Sequence, residues 1–155
     1  MRQSMLPVAL LLLAAQSASL PAARPLSPPG TVEAAVMAPI TATLAAMRAG
    51  DGAALLANTY PGGGTTAVVD GKATRTSWAD VAAGLKPGAA QFEVTTGDPA
   101  IDFDGDIAMV WTRYTFRAEG KPPRCGVDHF DLIRDQGRWR ILNLTFSGRA
   151  TGCGQ

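Results

Sequence analysis

Four residues in the last third of the chain have side chains that could take part in acid–base chemistry. Asp128, His129 and Asp131 lie close together on one predicted strand, and Tyr114 lies on the strand before it. A carboxylate, an imidazole and a phenol can each exchange a proton with a bound substrate, so these four residues are the candidate catalytic group. A cross-strand hydrogen-bond set at a subunit interface uses the same residue types, and we favour that interpretation for Tyr114, His129 and Asp131.

A second set of residues could bind a ligand. Arg113 and Asp128 are predicted to be diagonal neighbours on one sheet face, with Asn143 nearby on the last strand. A half-buried pair of opposite charges is most often structural, but it can also hold a polar group of a ligand. Trp111 and Tyr60 complete the candidate ligand-binding set by adding aromatic surface, although single tryptophans are usually core residues.

These groupings depend on how three predicted strands align. With short turns at 120–123 and 135–137, Trp111, Arg113, Asp128 and Asn143 fall on one face. Tyr114 then lies opposite His129 on the other face, which also carries Asp131. A slip of one residue would change both groupings.

Metal and phosphate sites are not predicted. Residues 102–106 resemble a calcium loop, but the glycine is one position early and Arg113 stands where the closing glutamate should be, so we predict a hairpin turn. His129 is the only histidine, and two cysteines are too few for a zinc site. The glycines at 62–64 are not followed by Lys-Ser or Lys-Thr, as a phosphate-binding loop requires. We therefore expect no metal and no cofactor.

Cys125 and Cys153 are predicted to form a disulfide. The glycine-rich tail after Gly148 can return Cys153 to the start of the strand that Cys125 opens, within the Cα separation of about 4.4–6.8 Å that a disulfide needs. The bond would close a loop of roughly 29 residues, for which the chain-entropy model gives about 3–4 kcal/mol. Two free thiols are the alternative.

The N-terminal segment has the features of a signal peptide. Arg2 is the only charged residue before Arg24, and an apolar run extends between them from Met5 to Ala15. The run is shorter than the roughly 20 apolar residues that a membrane span needs. Residues 1–19 are therefore predicted to be a signal peptide, cleaved between Ala15 and Ala23, and the protein is expected to be periplasmic or secreted. An uncleaved anchor or a buried helix is the alternative.

The remaining chain is predicted to be a short tether followed by one domain. Residues 20–30 carry four prolines, which fix the backbone and remove hydrogen-bond donors, so we interpret them as a tether. Residues 31–155 have the size of one domain. The chain has 14 basic and 13 acidic residues without a basic run, so no nucleic-acid partner is expected. No second long apolar run follows, so no membrane association is expected after cleavage.

The order of the predicted elements indicates an α+β fold. Thr31 begins a helix that ends at Gly50 and is kinked at, or begins near, Pro39. Asp51 or Gly52 begins a second helix and Ser77 a third, and a loop is predicted at 60–64. Strands are predicted at 65–69, 72–76, 91–96, 101–103, 106–119, 124–134 and 138–147.

Three segments together resemble the SnoaL-like branch of the NTF2-like superfamily. They are the helix end at 47–51, the Tyr60-Pro61 step, and the ending from Gly126 through Trp139 to Thr145, with its Gly-x-Trp-Arg-Ile turn and strand. The resemblance implies a cone-shaped α+β barrel with N-terminal helices packed on a strongly curved antiparallel sheet. Ketosteroid isomerases of this superfamily use a carboxylate base and a tyrosine donor in an apolar pocket. By that resemblance, Asp128 or Asp131 could act with Tyr60 or Tyr114.

Three functions remain open from the sequence. The first is an exported domain that holds a small, mostly apolar ligand in the mouth of the cone. The second is an enzyme of the isomerase, dehydratase or epoxide-hydrolase kind, which would need a pocket carboxylate with a raised pKa. The third is a structural dimer module whose cavity is filled by side chains. Because both strand faces are largely apolar, we predict a homodimer.

Overall fold

The structure is a computed structural model that describes residues 31–88 and 92–153. The predicted signal peptide (1–19) and tether (20–30) lie outside the described residues. The helices are α1 (Val32–Ala49), α2 (Gly52–Asn58) and α3 (Trp78–Gly84). The strands are β1 (Thr59–Val69), β2 (Lys72–Ser77), β3 (Phe92–Thr96), β4 (Ala100–Asp104), β5 (Ile107–Ala118), β6 (Arg124–Asp135) and β7 (Arg138–Gly148). Helices α1 and α2 precede the sheet and α3 lies between β2 and β3, so helices and strands are largely segregated along the chain, as in the predicted α+β class.

Polar side chains begin all three helices. Thr31, Asp51 and Ser77 each accept a hydrogen bond from a backbone N–H in the first turn, which satisfies a donor that the helix leaves unpaired. Gly50 ends α1 with a φ of 68°, a conformation that glycine adopts without steric cost.

Helix α1 is continuous through Pro39, so the alternative that it begins near that proline is wrong. By length and composition α1 could cross a membrane. Its Val36 and Ile40 side chains, however, are buried in the hydrophobic core, as in the core helix of a folded domain. Helix α1 contacts β7 and the edge strand β3.

The sheet is mixed, and not wholly antiparallel as predicted. Its order is β2-β1-β7-β6-β5-β3, and β4 also pairs with β5. Each of these pairs is antiparallel except β1 with β7, which is parallel. The chain leaves the sheet after the β1–β2 hairpin and returns only with the later strands. The last strand then lies beside the first in the same direction.

The predicted loop at 60–64 is part of β1. A register shift between Thr59 and Gly64 lets the glycines continue along β7. A side chain at Gly63 would overlap the carbonyl of Leu142, and one at Gly64 would overlap that of Thr76. These glycines therefore permit close approach of neighbouring backbones.

The core lies between the helices and one face of the sheet, here called the inner face. On β5 and β6 the inner face carries alternate residues, including Val110, Phe130 and Leu132, and it packs against α1, α2 and α3. The opposite face is called the outer face. It carries the other alternate residues, and several of its large apolar side chains are exposed.

The register of β5 against β6 differs from the prediction by three residues, an odd number, because Tyr114 was predicted opposite His129 and pairs with Gly126. Thr112 pairs with Asp128 and Trp111 pairs with His129, whereas the predicted alignment placed Arg113 beside Asp128. A slip by an odd number of residues moves every side chain to the other face. The grouping of Arg113 with Asp128 is therefore wrong, because Asp128 lies on the inner face and Arg113 on the outer face.

A bulge explains why the prediction also placed Asn143 on the face of Asp128. Near the 135–137 turn, β6 and β7 follow the predicted register, but the register shifts between Asp131 and Leu132. Beyond the shift, Asp131 pairs with Asn143 and Asp128 pairs with Phe146. Asn143 is therefore on the outer face, away from Asp128. A bulge inserts one unpaired residue, which alternation alone does not reveal.

Candidate functional site

A pocket of about 510 Å³ opens on the inner face beside the C-terminal half of α1. Its walls are mostly apolar, and its size falls within the range of sites that hold small molecules. Its polar side chains come from Tyr114, Arg124 and Asp128. The remaining lining residues are Leu44, Met47, Val69, Val94, Phe116, Leu144, Phe146 and Gly148. We call this space the inner-face pocket.

Asp128 is a buried carboxyl in the inner-face pocket. Its exposed fraction is 6 %, and burial raises its pKa from 3.8 to about 7. The charged form is disfavoured because apolar surroundings solvate it poorly. Among the described residues, no hydrogen bond or ion pair involves this carboxyl. A carboxyl in this state can accept or donate a proton near neutral pH.

Tyr114 lies on the same face as Asp128, and its hydroxyl is anchored. The hydroxyl donates to the backbone carbonyl of Ser147 at 2.8 Å. The Tyr114 ring meets that of Phe146 edge-on, with centroids 6.5 Å apart. Burial raises the pKa of the phenol, and the charge of Asp128 raises it further. The hydroxyl proton of Tyr114 is therefore used in the hydrogen bond to Ser147, although the hydroxyl oxygen can still accept a hydrogen bond.

The structure divides the four candidate catalytic residues between two faces. Asp128 and Tyr114 both line the inner-face pocket. His129 and Asp131 lie on the outer face, where His129 Nε2 is 3.6 Å from Asp131 Oδ1 and both side chains are partly exposed. The predicted position of Tyr114 opposite His129 is wrong, because Tyr114 pairs with Gly126.

The candidate ligand-binding residues do not converge on one place. Trp111 and Arg113 are exposed on the outer face, and the Trp111 ring lies 5.9 Å from that of His129. Asn143 shares that face, and its Oδ1 is buried without a hydrogen-bond partner among the described residues. Tyr60 lies half-buried on β1 and does not line the inner-face pocket. Asp128 is the one residue of this set that does.

Sequence reasoning missed several residues of the pocket. Arg124 lies on β6 four residues before Asp128, so strand alternation places both on one face. This signal was present in the sequence. Leu44 and Met47, by contrast, come from α1. Their place above Phe116 and Phe146 depends on how α1 packs on the sheet, which the sequence does not show.

A disulfide joins Cys125 and Cys153, whose Cα atoms are 5.4 Å apart, as predicted. The backbones of Cys125 and Arg149 also exchange two hydrogen bonds of 3.0 and 2.9 Å. The tail after β7 is thereby fastened beside the start of β6, next to Arg124 and Gly148 of the pocket. A disulfide is typical of proteins from an oxidising compartment.

Other parts of the described structure have fewer features of a binding site. A more open depression of about 610 Å³ lies between Arg48, Phe92 and Arg117. Within 31–88 and 92–153, no group of His, Cys, Asp or Glu could hold a metal ion.

Comparison with known proteins agrees with this architecture. A family model described as "Putative lumazine-binding" matches residues 31–147. No curated protein matches the chain. Among solved structures, an NTF2-like protein of unknown function from Silicibacter pomeroyi is similar, with 20 % identity, a TM-score of 0.59, and coverage of 75 % of this chain and 94 % of that chain.

Two further solved structures show the same fold. An NTF2-like protein from Cytophaga hutchinsonii has 12 % identity, a TM-score of 0.65, and coverage of 77 % of this chain and 99 % of that chain. A protein described as a "putative ketosteroid isomerase" from Shewanella frigidimarina has 21 % identity, a TM-score of 0.56, and coverage of 73 % and 94 %. At these identities the likeness establishes the fold and leaves the activity open.

Proposed function

Because the chain belongs to the family described as "Putative lumazine-binding", within the NTF2-like superfamily, we propose that it is an exported domain that binds a small, mostly apolar ligand. The observation that carries the proposal is the inner-face pocket, an apolar space of about 510 Å³ with one buried carboxyl. Leaving a buried polar group without a partner is unfavourable. A ligand that meets Asp128 would supply the partner that the described residues do not.

Binding of a neutral fluorescent probe tests this proposal. Phenylnaphthylamine is apolar and fluoresces strongly in apolar surroundings, so it should bind the wild-type protein. Leu44→Trp should fill the pocket and abolish binding. Leu56→Trp is the matched control, because Leu56 is exposed on α2 and outside the pocket. Equal probe binding by both variants would place the probe elsewhere and contradict the proposal. A lumazine added as competitor tests the ligand named by the family description.

Export to the periplasm or the medium is the second part of the proposal. Its support is the single charge of Arg2 before the apolar run Met5–Ala15, together with the Cys125–Cys153 disulfide. N-terminal sequencing of protein recovered outside the cytoplasm should give a start between Ala15 and Ala23. A recovered chain that still begins at Met1 would rule out cleavage.

The state of Asp128 favours one catalytic function as a second candidate. Burial raises its pKa to about 7, which suits catalysis because a general base works best when its pKa lies near the working pH. An isomerase would use Asp128 to remove a proton from the carbon beside a carbonyl group and return it to another carbon. The structurally similar protein described as a "putative ketosteroid isomerase" supports this reaction class.

The Tyr114 hydrogen bond sets a limit on that mechanism. Because the hydroxyl donates to Ser147, it does not also donate to a substrate oxygen. Charge on the carbonyl oxygen would instead face Arg124 at the pocket rim. Conversion of a β,γ-unsaturated ketone to its conjugated isomer, followed by absorbance, tests the reaction. Asp128→Asn should slow turnover by roughly a hundredfold or more, and wild-type protein without activity would exclude this candidate.

We also propose a homodimer formed through the outer face. Ile107, Met109 and Trp111 lie on that face and are 61, 41 and 50 % exposed. A contiguous apolar surface of this kind is unfavourable in water and usually marks an interaction site. A second copy of the chain would cover it by twofold symmetry.

A further inference from the structure

Two arginines lie close to the inner-face pocket. Arg124 lies on the pocket side of β6 and lines the space, and its side chain is exposed. Arg149 directly follows β7, where Gly148 also lines the pocket. Arg124 therefore lies where a ligand would pass from solvent into the apolar interior, and Arg149 is close enough for its charge to act on Tyr114 in the pocket wall.

The backbone around the two arginines is fixed. Cys125 exchanges two backbone hydrogen bonds with Arg149, and its disulfide to Cys153 ties down the tail four residues further on. Arg124 is the chain neighbour of Cys125. The disulfide therefore holds both cationic residues at one rim, which reduces the freedom that each would lose on binding a ligand.

The charge at this rim is not neutralised by the protein. Among the described residues, neither Arg124 nor Arg149 forms an ion pair. Asp128 is the one acidic residue that lines the described pocket, and it is buried. The electrostatic effect of the arginines reaches inside, because Arg124 and Arg149 each oppose the burial-driven rise of the Tyr114 pKa. The pocket thus combines apolar walls with a cationic mouth.

We infer that the ligand is an amphipathic anion, with an apolar body held between α1 and the inner face and an anionic group bound at the rim by Arg124 and Arg149. This inference rests on the proposed ligand-binding function and adds the chemical class of the ligand. Guanidinium groups bind carboxylate, sulfonate and phosphate oxygens through paired N–H donors. The apolar body would reach toward Asp128. An uncharged molecule of the same shape would occupy the same part of the pocket.

Two probes with the same aromatic body separate the contribution of the anionic group to affinity from the contribution of the apolar pocket. Anilinonaphthalene sulfonate carries an anionic group, and phenylnaphthylamine is its neutral counterpart. With the disulfide-bonded protein, the sulfonate should bind more tightly, and added salt should weaken only the sulfonate. Arg124→Gln and Arg149→Gln should each weaken sulfonate binding roughly two- to fivefold, and should weaken binding of the neutral probe less.

Three control variants make the result specific. Arg138→Gln removes an exposed arginine at the opposite end of β7 and should leave both affinities unchanged. Arg124→Lys and Arg149→Lys keep the charge and should retain most of the sulfonate affinity. Thermal unfolding of each variant establishes that the protein is folded at the assay temperature.

The outcomes distinguish this inference from the function on which it rests. If the neutral probe binds and the variant that combines Arg124→Gln with Arg149→Gln loses no sulfonate affinity, the inference of an anionic ligand is wrong. The proposed binding of apolar ligands in the pocket is then still supported. The same conclusion follows if Arg138→Gln weakens the sulfonate as much as the rim variants do. If neither probe binds wild-type protein, the ligand-binding function itself fails, and this inference fails with it.

Discussion

The Tyr114 hydroxyl on β5 donates to the Ser147 carbonyl on β7, and so connects two strands that are not neighbours in the sheet. Strand β6 lies between them, and Tyr114 pairs there with Gly126. Because glycine has no side chain, the Tyr114 ring can extend across β6. The bond therefore braces one wall of the inner-face pocket and removes the tyrosine proton from any direct role with a ligand.

Tyr114→Phe tests this bracing role. The substitution keeps the ring but leaves the Ser147 carbonyl without its donor, so the free energy of unfolding should fall by about 0.5–1.5 kcal/mol. Neutral-probe affinity should change little, because the apolar surface remains. Urea unfolding and probe titration measure the two effects. A variant as stable as wild type but unable to bind would show that the hydroxyl serves the ligand and not the wall.

Asp128→Asn should remove a pH dependence of stability. The folded pKa of Asp128 is about 7 and its unfolded value is near 3.8, so folded protein retains a proton that unfolded protein releases between these values. Stability from this group is present at low pH and is lost as pH rises toward 7. Wild type should lose about 2–3 kcal/mol between pH 5 and pH 8 through this residue, at about 1.36 kcal/mol per pH unit.

Urea unfolding of wild type, Asp128→Asn and Asp104→Asn at the two pH values measures that difference. The Asp128 variant should show a flatter profile and should be more stable than wild type at the higher pH. Asp104 is exposed on β4 and forms no ion pair among the described residues, so its variant should follow the wild-type profile. Parallel profiles for all three proteins would contradict the raised pKa.

Cys153→Ser tests the disulfide with little disturbance of the core, because Cys153 lies on the tail and Cys125 is buried. Loss of the cross-link should lower stability by about 3–4 kcal/mol. Mass analysis of unreduced wild-type protein should show two hydrogens fewer than the reduced chain. Two thiols that react readily with an alkylating reagent in the unreduced exported protein would refute the bond.

Trp111→Glu should disrupt the proposed dimer, because it places a charge within the exposed apolar surface of the outer face. Light scattering should give a dimer for wild type and a monomer for the variant, with unchanged circular dichroism. Arg75→Glu is the control, since Arg75 is exposed on the edge strand β2. Wild-type protein that is monomeric at concentrations of tens of micromolar would exclude this interface.

Local features of the sequence predicted most of the elements. Thr31, Asp51 and Ser77 were expected to begin helices and do so, because capping depends on residues within one turn. The hairpin turns at Gly71 and Gly105 likewise follow from the preference of glycine for positive φ. The α+β class then follows from the order of these elements.

The candidate site was harder to predict because it depends on register. The β5–β6 connection and the bulge beside Asp131 each moved side chains from one face to the other. Arg113 and Asn143 were consequently assigned to the face of Asp128, which they do not share. The parallel pairing of β1 with β7 was also missed, since it joins segments from opposite ends of the domain and leaves no local pattern.

That parallel pairing has a consequence for biogenesis. A chain that crosses a membrane with its N-terminus leading would deliver β1 first and β7 last. Until β7 arrives, one edge of β1 has no strand to pair with, and unpaired edges invite association with other chains. Contacts between distant segments also form slowly. The emerging polypeptide would therefore expose this strand edge until its C-terminal strand reached the same side of the membrane.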